Sequence, residues 1–305
     1  MTVNHVLGLE FVDGTGEIHE LGPEAAPVVP DLVGLIVGSE GTLGIVTAAW
    51  LRLMPDPQAW RTLRAIFPSM EAACSAVGEI IAAGIVPAAM EVMDRGILKA
   101  VDEAFHFGFP PEAQSVLVIE LDGPEATLDE EGAAVASTCE KHGAAEVLHA
   151  KDETERLLLW KCRKSAVGAV GRISPSYFIQ DGVVPRTRLP ELVRRVEQIS
   201  SEYGIRIVNV AHAGDGNVHP ILLFDEQDPE QTHRAEQAGR AILRACIELG
   251  GSITAEHGVG VEKIDLMCEL FSADELDTMR QLKEVFDPDG ILAPGKLIPA
   301  ALPAT

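Results

Sequence analysis

The feature that most constrains the fold is the stretch IRIVNVAHAGDGNVHPILLF, residues 205–224, where two β-rich apolar runs flank Gly214-Asp215-Gly216-Asn217. Such runs on either side of Asp-Gly predict a β-hairpin, because both central residues of a type I′ turn need positive φ and Asp-Gly is a preferred pair there. With Asp215-Gly216 as the turn, His212 stands directly opposite His219. Their Cβ atoms are then about 4.5–5.5 Å apart on one face of the ribbon. Two imidazoles at that spacing can share a small cation. Agreement between turn chemistry and register favours this over the blander reading of two unrelated core histidines.

A third ligand is offered by SITAEHGVGVEK, residues 252–263, read as a strand over Ser252–Ala255 that runs into Glu256-His257 and a glycine-rich turn. Neighbouring residues at a strand end point different ways, so Glu256 is placed on the ion and His257 is left to act as a base. Two histidines and one carboxylate leave coordination positions open, as in a catalytic rather than a closed structural site on Zn²⁺ or a related divalent ion.

Around these motifs the chain alternates strand and helix. Strands are predicted at 63–67, 88–92, 116–121, 177–180, 206–211 and 218–224, with helices in most of the gaps. Leu189, Leu192, Val193, Val196 and Ile199 fall at helical spacing, Asp228-Pro229 reads as an N-cap followed by Pro, and Ser272 with Glu275 has capping-box spacing. Nearer the start, His5–Val12 and Glu17–Leu21 read as a hairpin. Gly38, Gly41 and Gly44 then precede a β-rich run that ends at Pro55 and Pro57, a predicted domain boundary. On spacing alone those glycines are equally well turn glycines. No internal repeat stands out, and the tail after Leu297 reads as a loose end.

The chain's 305 residues suffice for about two domains. With 24 Lys and Arg against 47 Asp and Glu, the formal charge is −23, which argues against nucleic acid or anionic lipid as partners. Five scattered cysteines without a CxxC suggest neither a disulfide framework nor an iron–sulfur cluster, and a reducing, cytoplasmic setting is expected. No apolar run reaches the roughly 18–20 residues of a membrane span, and no export signal is expected.

Taken together, DLVGLIVGSEGTLGIVT at 31–47, LWKCRKSAVGAVGRISPSYFIQDGVVPR at 159–186, HAGDGNVH at 212–219, AEHGVGVEK at 255–263 and FDPDGILAPGK at 286–296 resemble the FAD-linked oxidase family that contains the glycolate oxidase flavoprotein subunit and D-lactate dehydrogenase. The resemblance implies an α+β fold, in which a C-terminal remnant of a p-cresol methylhydroxylase-type FAD domain accompanies a ferredoxin-like substrate cap. The expected division is 1–58 for the partial FAD domain, 59–285 for the cap, and 286–305 for a segment returning to the flavin domain. By motif position, His212, His219 and Glu256 correspond to ligands of a divalent metal, zinc first, His257 to the catalytic base and Arg163 to the arginine that binds the substrate carboxylate. Gly38, Ser39, Glu40, Gly41, Gly44 and Ile45 fall in the flavin-contacting stretch, and Lys296 closes near it, although Ala293 stands where many relatives carry Asn. The subdomain whose glycine-rich loop holds the FAD pyrophosphate is expected to be absent.

The implied activity is oxidation of a small 2-hydroxy acid, glycolate or D-lactate, to the 2-oxo acid, with electrons passing to an iron–sulfur or other electron-transfer subunit. Two alternatives stand beside it. One is a catalytically silent metal-binding fragment or partner subunit, and the other a metal-dependent hydrolase.

Overall fold

Apolar side chains at alternate positions build a large antiparallel sheet, and helices with one apolar stripe cover both of its faces. The computed structural model describes residues 2–22 and 31–300; the last five residues of the expected loose tail lie outside them. The chain forms two compact units, Pro57–Glu256 and a second made of Met1–Asp56 with His257–Thr305.

The smaller unit contains β1 (Val6–Val12), β2 (Ile18–Leu21), the short helix α1 (Leu32–Ile36) and β3 (Ile45–Leu51) from its first segment. The strands form an antiparallel sheet in the order β2-β1-β3. Leu9, Phe11, Ile36 and Leu43 make its core, with Phe286 packed against them. Asp13 shapes the turn between β1 and β2 by accepting hydrogen bonds from the amides of Thr15 and Glu17. Gly14 donates to the Phe286 carbonyl, and a Cβ there would lie 2.4 Å from Asp287 Oδ1, so the turn needs glycine to lie this close to the later segment.

The larger unit carries β4 (Ala59–Phe67), α2 (Met70–Ala82), β5 (Ala89–Asp94), α3 (Arg95–Phe105), β6 (Ser115–Gly123), α4 (Glu125–Lys141), β7 (Glu146–His149), α5 (Glu153–Val170), β8 (Ser176–Ile179), β9 (Gly182–Val183), α6 (Leu189–Tyr203), β10 (Arg206–His212), β11 (Asn217–Phe224) and α7 (Pro229–Glu248). The sheet runs β7-β4-β6-β5-β10-β11-β8, with β9 also paired to β11. Along β6, Leu117, Ile119 and Leu121 face one core while Val116 and Val118 face the other. Each such fully buried aliphatic side chain stabilises the fold by about 1.5–3 kcal/mol. Helices α2, α4, α6 and α7 supply the first core, and α3 and α5 the second. The stripe from Leu189 to Ile199 is the buried face of α6, and Asp228 caps α7 as its spacing predicts.

Strand order reveals a duplication that the sequence does not show. In chain order β4, β5, β6 and β7 are the first to fourth strands of a half-sheet arranged 4-1-3-2, the ferredoxin-like order. From the seam between β5 and β10 outward, β10, β11 and β8 repeat that order as second, third and first strands. The place of the fourth is taken by a single bridge from Ser252 to Val183. The two halves join through three residue pairs, Val210 with Met93, Ala211 with Val92 and His212 with Glu91.

Two expectations need correction. Residues 252–255 do not form a strand, since only Ser252 pairs and the following amides turn to the Asp181 carboxylate. The chain also returns to the smaller unit at His257 rather than at residue 286. The physical reason is Glu40, whose carboxylate accepts hydrogen bonds from the Val259 and Gly260 amides and ties that loop to the smaller unit. After it come α8 (Met267–Leu270) and α9 (Ala273–Phe286), the latter opened by the expected Ser272–Glu275 capping box.

Candidate active site

The hairpin of β10 and β11 forms, but its register differs from the one expected. His212 pairs with Asn217 and His219 with Val210, because residues 213–216 make a four-residue loop. Ala213 and Gly214 both donate to the Met90 carbonyl on β5, which draws the loop across the neighbouring strand. A slip of two residues preserves the face on which every side chain points. The histidines therefore still converge, now along a diagonal, with ring centroids 5.3 Å apart and ring planes perpendicular.

Asp181 brings in the third group. It is fully buried, and its Oδ2 accepts hydrogen bonds from Thr254 Oγ1 at 2.6 Å, the Ala255 amide at 2.9 Å and the Glu256 amide at 3.0 Å. These bonds fix the backbone from which Glu256 projects. Glu256 Oε1 lies 3.1 Å from His219 Nε2 and 3.5 Å from His212 Nε2.

The far side of each imidazole also faces an acceptor: His219 Nδ1 is 3.3 Å from the Gln180 carbonyl, and His212 Nδ1 is 2.7 Å from Glu91 Oε1. A neutral imidazole has one N–H and cannot donate to both sides, so with Nδ1–H turned to Glu91 and Gln180 the Nε2 lone pairs face Glu256, an arrangement that would suit a cation. A tetrahedral ion with bonds of about 2.0–2.1 Å would hold its donors about 3.3 Å apart, close to the two separations from Glu256 Oε1, so these nitrogen and oxygen donors would suit a divalent metal. The His212 pKa is raised, first by its hydrogen bond to Glu91, with burial and Arg163 opposing.

Arg163 reaches the same cluster from α5. Its Nε donates to Glu91 Oε2 at 2.7 Å, so one carboxylate serves both Arg163 and His212. Glu91 and Asp181 were not singled out from the sequence. A signal existed for each, a lone acid within the apolar run AAMEVM and an acid just before Gly182-Val183-Val184, but neither shows its partners locally.

The remaining expected residues belong to the smaller unit. Gly38, Glu40 and Gly41 all have positive φ, and open space surrounds the positions where a Cβ would stand on Gly38 and Gly41, so their backbone is approachable by a flat cofactor. Glu40 and Gly44 carry structural tasks in addition. The Glu40 side chain holds the 259–260 amides, and a Cβ on Gly44 would come within 2.6 Å of the Phe11 ring. Ser39 accepts through its carbonyl from Thr42, and Ile45 and Lys296 are exposed. His257 is exposed and is the first residue of the returning segment.

Residues 56–297 match the family described as FAD linked oxidases, C-terminal domain. The chain belongs to this family. Membership sets aside the hydrolase alternative. Among similar proteins, the glycolate oxidase subunit GlcD of Escherichia coli K12 is 45% identical over 300 residues, covering 98% of this chain and 60% of that protein. Its Bacillus subtilis counterpart is 40% identical over 97% of this chain and 64% of its own length. The mitochondrial D-lactate dehydrogenase [cytochrome] of Arabidopsis thaliana is 31% identical, covering 97% and 53%. The chain thus spans about half to two thirds of the length of these curated relatives.

Solved structures support the α+β fold. The 4-ethylphenol oxidase of Gulosibacter chungangensis superposes with a TM-score of 0.73 at 18% identity, over 97% of this chain and 66% of that one. For p-cresol methylhydroxylase the TM-score is 0.72 at 15% identity, over 97% and 65%.

Proposed function

We propose that this chain carries the substrate-binding part of a flavoenzyme that oxidises a small 2-hydroxy acid, glycolate or D-lactate, to the 2-oxo acid. The observation that carries the reading is one connected cluster, with Arg163 and His212 on the buried Glu91 and Glu256 beside the Nε2 atoms of His212 and His219. The names of the relatives, glycolate oxidase subunit and D-lactate dehydrogenase, support it.

A 2-hydroxy acid presents a carboxylate beside a hydroxyl. Arg163 matches the first, because Glu91 occupies only its Nε and leaves the Nη1–Nη2 edge for a bidentate grip. His212, His219 and Glu256 would hold a divalent ion, Zn²⁺ being the first choice for this ligand set, whose charge favours the ionised form of the hydroxyl. By its place in AEHGVGVEK, His257 is the proposed base that takes the hydroxyl proton. FAD, when bound, supplies the acceptor for the hydride that leaves C2, and the open backbone at Gly38 and Gly41 suits contact with it.

Electrons would then pass to a partner subunit, of the iron–sulfur or another electron-transfer kind, a proposal supported by the word subunit in the name of the bacterial relatives. Cytoplasmic placement belongs to the same proposal and rests on the scattered cysteines. Among the described residues no helix is long and apolar enough to cross a membrane.

The test is bleaching of flavin absorbance in purified protein reconstituted with FAD and a divalent ion, with glycolate or D-lactate as reductant and an artificial dye as acceptor. Bleaching by one of these acids, lost in Arg163→Met, is the expected result. Bound flavin that neither acid reduces would overturn the reading.

A further inference from the structure

Glu91 lies at the seam of the duplicated sheet, where its Cα is paired with that of His212. It is 8% exposed, and both of its oxygens are engaged, Oε1 with His212 Nδ1 and Oε2 with Arg163 Nε, each at 2.7 Å. A buried carboxylate is costly unless paired, and this one is paired on both sides. The two partners serve different ligands in the proposed reaction, one the ion and the other the substrate carboxylate.

We propose that Glu91 is a positioning residue that couples the cation cage to the carboxylate clamp, so that divalent-ion binding and 2-hydroxy-acid binding each strengthen the other. The proposal rests on the reading of His212, His219 and Glu256 as a cage and of Arg163 as the clamp.

Three consequences follow from the geometry. By accepting from Nδ1–H, Glu91 fixes the His212 tautomer and leaves the lone pair on Nε2, the atom that faces Glu256. By taking Nε of Arg163, it leaves the Nη1–Nη2 edge as the fork of the guanidinium available to a substrate carboxylate. Because one rigid carboxylate does both, ordering of the imidazole by an ion also orders the guanidinium, and the reverse. Such coupling is reciprocal: the factor by which the acid tightens ion binding equals the factor by which the ion tightens acid binding.

The experiment is calorimetric titration of the full chain with Mn²⁺, with and without saturating glycolate, and with glycolate, with and without Mn²⁺. In the wild type each ligand is expected to raise the affinity of the other by the same factor. Glu91→Gln is expected to weaken Mn²⁺ binding about 10–100-fold, the range for loss of a carboxylate behind a metal-bound histidine, and to bring the coupling factor close to one. Arg163→Gln leaves the cage intact and guards against a folding defect in the first variant. It too should abolish coupling while retaining Mn²⁺ binding.

If both variants bind Mn²⁺ as the wild type does and glycolate coupling persists in Glu91→Gln, while His219→Ala loses the ion, the inference is overturned and the cage reading stands. If the wild type binds no Mn²⁺, the cage reading fails and the inference falls with it.

Discussion

Replacing Asp181 by Asn keeps the shape of a fully buried side chain and removes its charge. Its Oδ2 accepts three hydrogen bonds, from Thr254 Oγ1 and from the Ala255 and Glu256 amides, at 2.6–3.0 Å. A hydrogen bond to a charged acceptor contributes about 1.5–3 kcal/mol and a neutral one about 1, so converting three of them costs about 3 kcal/mol. For a chain of this size that corresponds to a fall of roughly 6–12 °C in the melting midpoint. The magnitude has an internal standard in Thr254→Val, which deletes one of the three bonds outright and should cost about 1.5–3 kcal/mol. Because two of the bonds hold the backbone at Ala255 and Glu256, Asp181→Asn should also weaken Mn²⁺ binding in calorimetry at temperatures where the variant is folded. Thermal melts of the full chain, read alongside those titrations, provide the assay. An Asp181→Asn protein that melts within a degree of the wild type and binds Mn²⁺ equally well would refute the argument that this carboxylate sets the Glu256 backbone.

Two further outcomes are expected. Glu40→Ala removes the acceptor for the Val259 and Gly260 amides and leaves a Cβ-bearing residue at a φ of 53° with nothing to hold it there, so both amides should exchange with deuterium at least about tenfold faster, and unchanged protection would show that the loop is held otherwise. Burial pushes the Asp94 carboxyl up to about 6, outweighing the hydrogen bonds it accepts from Ile97 and Asn209. The folded protein then keeps a proton that the unfolded chain has released, so stability falls as pH rises from about 4 to about 6 and levels beyond it. Urea midpoints measured across that window should decline in the wild type and stay flatter in Asp94→Asn, and parallel profiles would contradict the assignment.

The sequence was most informative where a pattern repeats over a few residues, and least where a distant strand decides. The stripe from Leu189, the Asp228 cap and the Ser272–Glu275 box are local and form as read. The hairpin shows both sides of this. Asp-Gly chemistry describes an isolated ribbon, whereas here Met90 on β5 takes the loop amides of Ala213 and Gly214 and lengthens the turn to four residues. The histidine pairing survives because side-chain direction depends on the parity of the register and not on its value. Residues 252–255 fail as a strand for the same kind of reason: Asp181, some seventy positions earlier in the chain, takes the Thr254 hydroxyl and the amides of Ala255 and Glu256.

Glu91 was hidden because an acid in an apolar strand announces burial without naming its partners. Its role follows only from the seam, where β5 of the first half-sheet meets β10 of the second. Two halves that share a strand order but no visible sequence repeat need agree only in the spacing of apolar residues, which many side chains satisfy equally. The three pairs at the junction are the exception, since there the pattern is broken on one face by Glu91 and His212 standing opposite each other. A polar pair at the joint of two otherwise apolar half-sheets costs desolvation, and in this structure the cost is offset by the 2.7 Å bonds among His212, Glu91 and Arg163. The candidate site is therefore placed where the fold joins its halves, with Glu91 from the first and His212 from the second, and neither half holds the pair alone.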